Sequence, residues 1–223
     1  MTAASARPET GQPWRPVLFD MDGTLIDSAP AIVGRLRETL LEFGVTPPDD
    51  AALRLFIGPP MHVTLSHFFP HDEVETARTF YRGLSQRDGL KNQTLFPGIH
   101  EALAELAAAG IPLAIASSKS QEEVERSAEH FGIASFFAGI AGSSIDRQDK
   151  ADVIRFALGM LETTSNHTPL MVGDRSWDIA GADAVGIPTA LVTWGYSAPE
   201  EASRALAVLT SETDLVSFIR NNN

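Results

Sequence analysis

The chain has no cysteine. That absence excludes disulfides, thiolate zinc sites and a cysteine nucleophile, and it fits a cytoplasmic setting. Clustered cations are also missing: 17 Lys and Arg stand against 29 Asp and Glu, a formal net charge of −12 with no basic run. Nucleic-acid binding needs such clusters, so no nucleic-acid partner is expected. Anionic membrane surfaces are disfavoured for the same reason. No stretch reaches the roughly 18 consecutive apolar residues of a membrane span. Residues 1–14, MTAASARPETGQPW, lack the apolar core of a signal peptide and are expected to form a flexible arm. What is present is 223 residues at 43% hydrophobic, enough for a full core in one domain with an insertion or in two small domains.

Hydrophobic spacing divides the chain. Val17-Leu18-Phe19 reads as a buried strand. Residues 30 to 90 then hold only helical patterns: Ile32, Val33, Leu36, Leu40 and Leu41 up to Gly44, then Ala51–Ile57, Met61–Phe69 and Val74–Leu84, with Gly58-Pro59-Pro60 as a breaker. From Phe96 onward strands alternate with helices. Strands are expected at Leu113–Ala116, Phe137–Ala141, Leu170–Val172 and Thr189–Val192. Helices are expected at Ile99–Ala109, Gln121–Phe131, Ala151–Leu161, Asp178–Val185, around Pro199–Ala205 and at Glu212–Ile219. That alternation implies parallel βαβ crossovers. No internal repeat is evident. The first strand cannot bury its own faces and must join the later ones, which makes the helical stretch an insertion. The expected fold is α/β: a Rossmann-like parallel-sheet core, residues 1–28 and 94–223, with an all-helical cap, residues 29–93, inserted after the first strand.

The chemistry concentrates at the end of that strand, in VLFDMDGTLIDS, residues 17–28. Ligands bind beyond the carboxyl ends of strands in open α/β sheets. Two carboxylates there, Asp20 and Asp22, beside backbone N–H groups freed by the Gly23-Thr24 turn, can hold a divalent cation together with an anionic group. Three further patterns follow later strands: Ser117 in IASSKS, Lys150 in SIDRQDKADVI, and the acidic pair Asp174 and Asp178 in GDRSWD.

Residues 17–28 resemble the DxDGT[LV]xDS signature of the haloacid dehalogenase superfamily. Together the four motifs resemble its phosphoglycolate phosphatase-like branch over roughly residues 15–220. The resemblance implies a first strand at the sheet centre and site residues at the carboxyl ends of four strands. It implies that Asp20 attacks phosphorus and becomes an aspartyl phosphate. Asp22 would act as general acid and then base, and its backbone carbonyl would also bind metal. Asp20, Asp22 and Asp174 would hold Mg2+, which screens the anionic nucleophile from the anionic substrate. Ser117 and Ser118 would hold phosphate oxygens, and Lys150 would neutralise both Asp20 and the transferring phosphoryl group. Asp178 would reach the metal directly or through water, or orient Lys150. Gly23 would let the phosphate approach the backbone, and Thr24 would brace the turn. The chain departs from the family at Ser118, where many relatives carry Asn, and at Ala151, where Lys-Pro is usual.

Each residue also has a plainer reading. Asp20 and Asp22 suit turn caps, Asp27 or Ser28 suits the cap of a helix begun by Pro30, and Asp178 suits a helix start. Ser120 with Glu123 spells a capping box, which leaves Ser117 free. Lys119 can reach phosphate or lie exposed at a helix start, and Arg147 is an alternative cation to Lys150. Trp177 and Trp194 suit packing, Asp183 suits solvent, and the six histidines have no metal-ligand spacing. In the helical stretch, Arg82 is a candidate substrate contact, and the rigid Ile57–Met61 loop is of the kind this family turns toward substrate.

The expected activity is hydrolysis of a small phosphomonoester, phosphoglycolate-like or a nucleoside monophosphate, with Mg2+ as cofactor and a small phosphorylated metabolite as partner. Dehalogenation dispenses with the metal, and retained Asp22 and Asp174 argue against it. The alternatives are a phosphomutase of the same fold or a catalytically weak partner-binding protein. The sequence carries no signal for oligomeric state.

Overall fold

The computed structural model describes residues 14–161 and 167–221. Six parallel strands form the main sheet: β1 (Trp14–Phe19), β4 (Leu113–Ser120), β5 (Gly139–Ser143), β6 (Thr168–Gly173), β7 (Thr189–Val192) and β8 (Ala207–Leu209). Their order is β5-β4-β1-β6-β7-β8, so β1 lies inside the sheet between β4 and β6. Alternate residues of β1 serve opposite faces, as the two-residue period of a strand requires. Val17 and Phe19 pack with helices α5 (Ile99–Ala108), α6 (Gln121–His130) and α9 (Glu212–Arg220). Leu18 packs on the other face with α7 (Lys150–Gly159) and α8 (Ser176–Asp183). Both faces are covered, which is why the strands read as near-continuous apolar runs.

A two-strand antiparallel ladder, β2 (Ile26–Asp27) with β3 (Thr94–Leu95), sits where the chain leaves this layer and returns. Between them lie α1 (Ala29–Glu42), α2 (Asp50–Arg54), α3 (Met61–Ser66) and α4 (His71–Asp88). These helices bury their own cluster, with Ile32, Leu36 and Leu40 of α1 against Leu53, Leu65, Ala77 and Tyr81. α2 and α3 are too short to be stable alone, so this packing holds them.

Several expectations need correcting. Trp14 is no part of a loose arm: it is buried in β1 and stacks on Phe218 at 5.9 Å. The rest of that expected arm, residues 1–13, lies outside the described residues. Residues 207–209 form a sixth strand, a three-residue edge whose pairing with β7 has no local signature. Residues 199–204 wind as a 3-10 turn rather than an α-helix. At the start of α1 the expected cap falls to Asp27, whose Oδ1 accepts the Ala29 N–H at 3.2 Å, while Ser28 makes no capping bond with its hydroxyl. The hydroxyl of Tyr196 accepts hydrogen bonds from the N–H groups of Ser28 and Ala29 at 2.8 and 2.9 Å, and donates to Asp27 Oδ1 at 2.9 Å. Ser120 likewise forms no capping box, because its hydroxyl donates directly to the Glu123 carboxylate at 2.6 Å.

Candidate active site

β1 ends at Phe19, and the N–H of Asp20 is still bonded to Val172 of β6 at 2.9 Å. The chain then turns tightly, with the Met21 carbonyl accepting from Leu25 and Ile26. This places the Asp20 carboxylate beyond the strand end. Lys150, the first residue of α7, extends its ammonium to Asp20 Oδ1 and Asp178 Oδ1, both at 2.7 Å. A lysine in the first turn of a helix is opposed by the helix dipole, and here two buried carboxylates outweigh that. Burial pulls the Lys150 pKa down, but the charges of Asp178 and Asp20 raise it above the ordinary lysine range.

Asp174 follows β6 and is fully buried. One of its oxygens accepts the N–H of Tyr196 at 2.7 Å, while Oδ1 has no partner. Asp178 has no such opening: Oδ1 faces Lys150, and Oδ2 accepts the N–H groups of Asp174 and Arg175 at 3.1 and 3.0 Å. Oxygens of Asp20, Asp174 and Asp178 lie within 4.8 Å of one another. A single ammonium faces three acids, so the cluster is under-neutralised. Burial, then the charges of Asp178 and Asp22, pushes the Asp20 pKa up to about 6 despite Lys150. Burial and the charges of Asp178 and Asp20 also raise Asp174 well above the carboxylate range. A hard divalent cation fits here: it would fill the open oxygen of Asp174 and relieve the repulsion.

The other expected residues surround this cluster. Asp22 stands apart from it: its Oδ1 is 2.8 Å from the ammonium of Lys119, which is largely buried and also lies 3.4 Å from Gln93. Ser117 and Ser118 lie in the extended end of β4 and line the same cavity as Asp20. Ser117 Oγ accepts the N–H of Lys119 at 3.3 Å, and Ser118 Oγ is buried without a partner. Gly23 has φ +83°, and a Cβ would lie 2.2 Å from Asp174 Oδ2, so its missing side chain admits the Asp174 carboxylate. The carbonyl of Thr24 accepts from Trp194 Nε1 at 3.0 Å, while its hydroxyl is buried without a partner. Arg147 bonds Gln121 and Gly142 and lies over the Phe156 ring, away from Lys150's place. Asp183 pairs with Arg204 at 2.6 Å on the surface.

The cavity has a volume of about 310 Å³ and runs from Asp20 and Asp22 to the helical stretch. Its far wall includes Phe56, Met61, Tyr81 and the exposed Arg82. The Ile57–Met61 loop, whose direction was open in the sequence, faces it. His62 lines it too. Sequence reasoning missed three residues. Arg35 is buried in α1, bonded to Ser85 Oγ at 2.8 Å and the Gly89 carbonyl at 2.7 Å, and lines the cavity. A lone cation on an apolar helical face was its available signal. Tyr196 ties the Asp174 carboxylate to the start of α1, and its position just past β7, at the same sheet edge as the other site residues, was its signal. Arg175 reaches across to Leu55 and Ile57, with no local sign in the sequence.

The chain is 42% identical over 182 residues to the tyrosine-protein kinase PtkA of Mycobacterium tuberculosis, a match covering 81% of this chain and 62% of that protein's length. It is 34% identical over 189 residues to a 5'-nucleotidase of Pseudomonas aeruginosa, covering 83% and 85% of the two. It is 32% identical over 206 residues to a phosphoglycolate phosphatase of Rhodospirillum rubrum, covering 86% and 85%. A haloacid dehalogenase-like hydrolase of Streptococcus pneumoniae superposes with a TM-score of 0.85 at 30% identity, over 92% of this chain and 98% of its own. The haloacid dehalogenase-like hydrolase family matches residues 17–192, from β1 through the acidic loop after β6 to β7, and the chain belongs to that family.

Proposed function

We propose that this protein is a Mg2+-dependent phosphatase that hydrolyses a small phosphomonoester through an aspartyl phosphate on Asp20. The observation that carries the reading is the Asp20 carboxylate, fixed by Lys150 beside the open oxygen of Asp174 and facing a cavity. A carboxylate needs no prior deprotonation at neutral pH, and its weakness as a nucleophile is offset by orientation. Asp20 attacks phosphorus as the bond to the leaving oxygen breaks, and Asp22 supplies the proton that oxygen needs. Water then attacks the phosphorus, Asp22 takes its proton, and the bond to Asp20 breaks to release phosphate. Lys150 neutralises Asp20 and the equatorial oxygens, and Asp178 keeps Lys150 in place. Ser117 and Ser118 offer hydroxyls to the phosphoryl group. Bound through Asp20, Asp174 and the Asp22 carbonyl, Mg2+ would supply the positive charge that the acidic cluster lacks.

The helices of residues 29–93 act as a cap in this reading: they wall the cavity, exclude bulk water and meet the leaving group, with Arg82 as a contact. Phosphoglycolate and nucleoside monophosphates are the substrate classes, in line with the names of two relatives. The substrate is a small phosphorylated metabolite. No helix among the described residues is long and apolar enough to cross a membrane.

The test is phosphate release from a panel of phosphomonoesters with Mg2+ or EDTA, beside Asp20→Asn. Metal-dependent release that the substitution removes is expected. No release by folded protein overturns the reading. Transfer of phosphate from ATP to a tyrosine, run as a parallel assay, would replace it with the activity named for the mycobacterial relative.

A further inference from the structure

The residue after Asp174 belongs to two parts of the molecule at once. The backbone N–H of Arg175 is held by Asp178 Oδ2 at 3.0 Å, inside the acidic centre. Its side chain runs the other way, 91% buried, and its guanidinium donates to the carbonyls of Ile57 and Leu55, the latter at 3.3 Å. These carbonyls lie just past the end of the five-residue helix α2. The carbonyl between them, Phe56, accepts from Thr64 Oγ1 of α3 at 3.0 Å. Three successive carbonyls of the loop are thus taken, two by the sheet layer and one by the helical stretch.

The fit is steric as well as polar. Gly58 has φ +116°, and a Cβ there would lie 2.9 Å from Arg175 Cγ. The loop therefore rests on the stem of this arginine. The guanidinium is fixed from behind by Glu201, whose carboxylate is 3.3 Å from Arg175 Nε and also accepts from Ser176 Oγ at 2.7 Å and the Ala198 N–H at 3.1 Å. Burial works against ionisation of Glu201, but these donors together hold its pKa below the ordinary range. A planar fork with a fixed carboxylate behind it is suited to holding two carbonyls at once, which a lysine ammonium is not. The held segment continues directly into Gly58–Met61, the apolar wall of the cavity opposite Asp20.

We propose that Arg175 is a positioning residue for leaving-group specificity: it sets the 55–61 loop against the acidic centre, so that the wall meeting the leaving group is registered to the reacting carboxylate. The proposal rests on the phosphatase reading for its kinetic consequence but not for the contact itself. A cavity of this size exceeds what a two-carbon leaving group fills and sits at the lower end of sites that enclose drug-sized ligands. Loss of the registration therefore acts on substrates that reach the wall and spares those that do not.

The experiment compares wild type, Arg175→Ala, Arg175→Lys and Gly58→Ala with adenosine 5'-monophosphate and phosphoglycolate as substrates. Arg175→Ala is expected to lower kcat/KM for the nucleotide about tenfold or more, through KM, with phosphoglycolate changed less than about threefold. Gly58→Ala, which disturbs the contact from the helical side and leaves Asp174 and its neighbour intact, is expected to reproduce that split, and Arg175→Lys to rescue it only in part. Equal loss on both substrates, or a rise in the Mg2+ concentration needed for activity without a split, overturns the proposal. Amide hydrogen exchange supplies a readout independent of turnover. Residues 53–58 are expected to exchange faster in Arg175→Ala while β1 and β6 stay protected, and unchanged exchange overturns the clamp. If wild type releases no phosphate, the phosphatase reading fails by itself. Calorimetric affinity for adenosine 5'-monophosphate with Mg2+ then replaces kinetics, and equal affinities of wild type and Arg175→Ala overturn the positioning role.

Discussion

The two ends of the cavity are built by opposite means. At the sheet end Asp20, Lys150, Asp174 and Asp178, from three different strand–helix junctions, are buried together, with Lys150 bonded to Asp20 and Asp178 and the Asp174 N–H bonded to Asp178. At the helical end the wall is Phe56, Met61 and Tyr81, and the cations Arg78 and Arg82 reach solvent. Arg78 pairs with Glu75 at 2.7 Å, while Arg82 makes no hydrogen bond or ion pair among the described residues. Charges that stabilise a transition state must be in place beforehand in a site that excludes water. A wall that selects among leaving groups needs shape and only modest polarity. Substitutions at the first end should therefore change chemistry and stability together, and those at the second should move recognition alone.

The largest expected effect is on turnover. Asp20→Asn should lower kcat by about a thousandfold or more while the far-ultraviolet circular dichroism is retained. A loss below tenfold would detach the reaction from this carboxylate. Next is stability at the same end. Lys150→Ala leaves Asp20 and Asp178 buried without their cation and should cost about 3–5 kcal/mol in urea denaturation. A cost under about 1 kcal/mol would mean that the acidic centre is not held together by this ammonium, and the contrast between the two ends would weaken.

The pH dependence follows from Asp20 itself. Its folded pKa of about 6 lies above the ordinary 3.8, so the unfolded chain releases this proton first as pH rises. Without metal, Asp20 therefore lowers stability progressively from about pH 4 to about pH 6, and the full cost persists above that. The stability of metal-free Asp20→Asn relative to wild type should rise over this window by about 3 kcal/mol, and saturating Mg2+ should remove the advantage at pH 7. A relative stability that is flat or falls with pH would show that Lys150 neutralises Asp20 fully. The smallest effect belongs to the helical end. Arg82→Ala should leave the unfolding free energy within about 0.5 kcal/mol and raise KM for nucleoside monophosphates about three- to tenfold with kcat unchanged. A comparable fall in kcat would put Arg82 in the chemistry and erase the distinction.

What was readable in the chain tracks how local each cause is. Strands β1, β6 and β7 and most helices follow from hydrophobic spacing, and the acids at strand ends follow from where α/β sheets place ligands. Ser120 and Glu123 show the limit of a local rule. The spacing of a capping box is there, yet the two side chains bond each other instead of the backbone. Gly23 was legible as a glycine that something approaches, but the approaching group, Asp174, is 151 positions away and could not be named. Lys119 offered two readings, and only the position of Asp22 decides that it turns inward.

By itself the sequence determined the strand–helix alternation, the helical insertion and the four acidic, basic and hydroxyl motifs that meet at one sheet edge. Each of these depends on residue type and spacing within a few turns of chain. The tertiary structure alone decided that Asp178 is saturated while Asp174 keeps an open oxygen, that Tyr196 fixes the start of α1, and that Arg175 carries the loop of residues 55–58. The Tyr196 and Arg175 contacts join segments more than a hundred positions apart. Such separations carry no periodicity, so only folding reveals which donors and acceptors burial forces to pair.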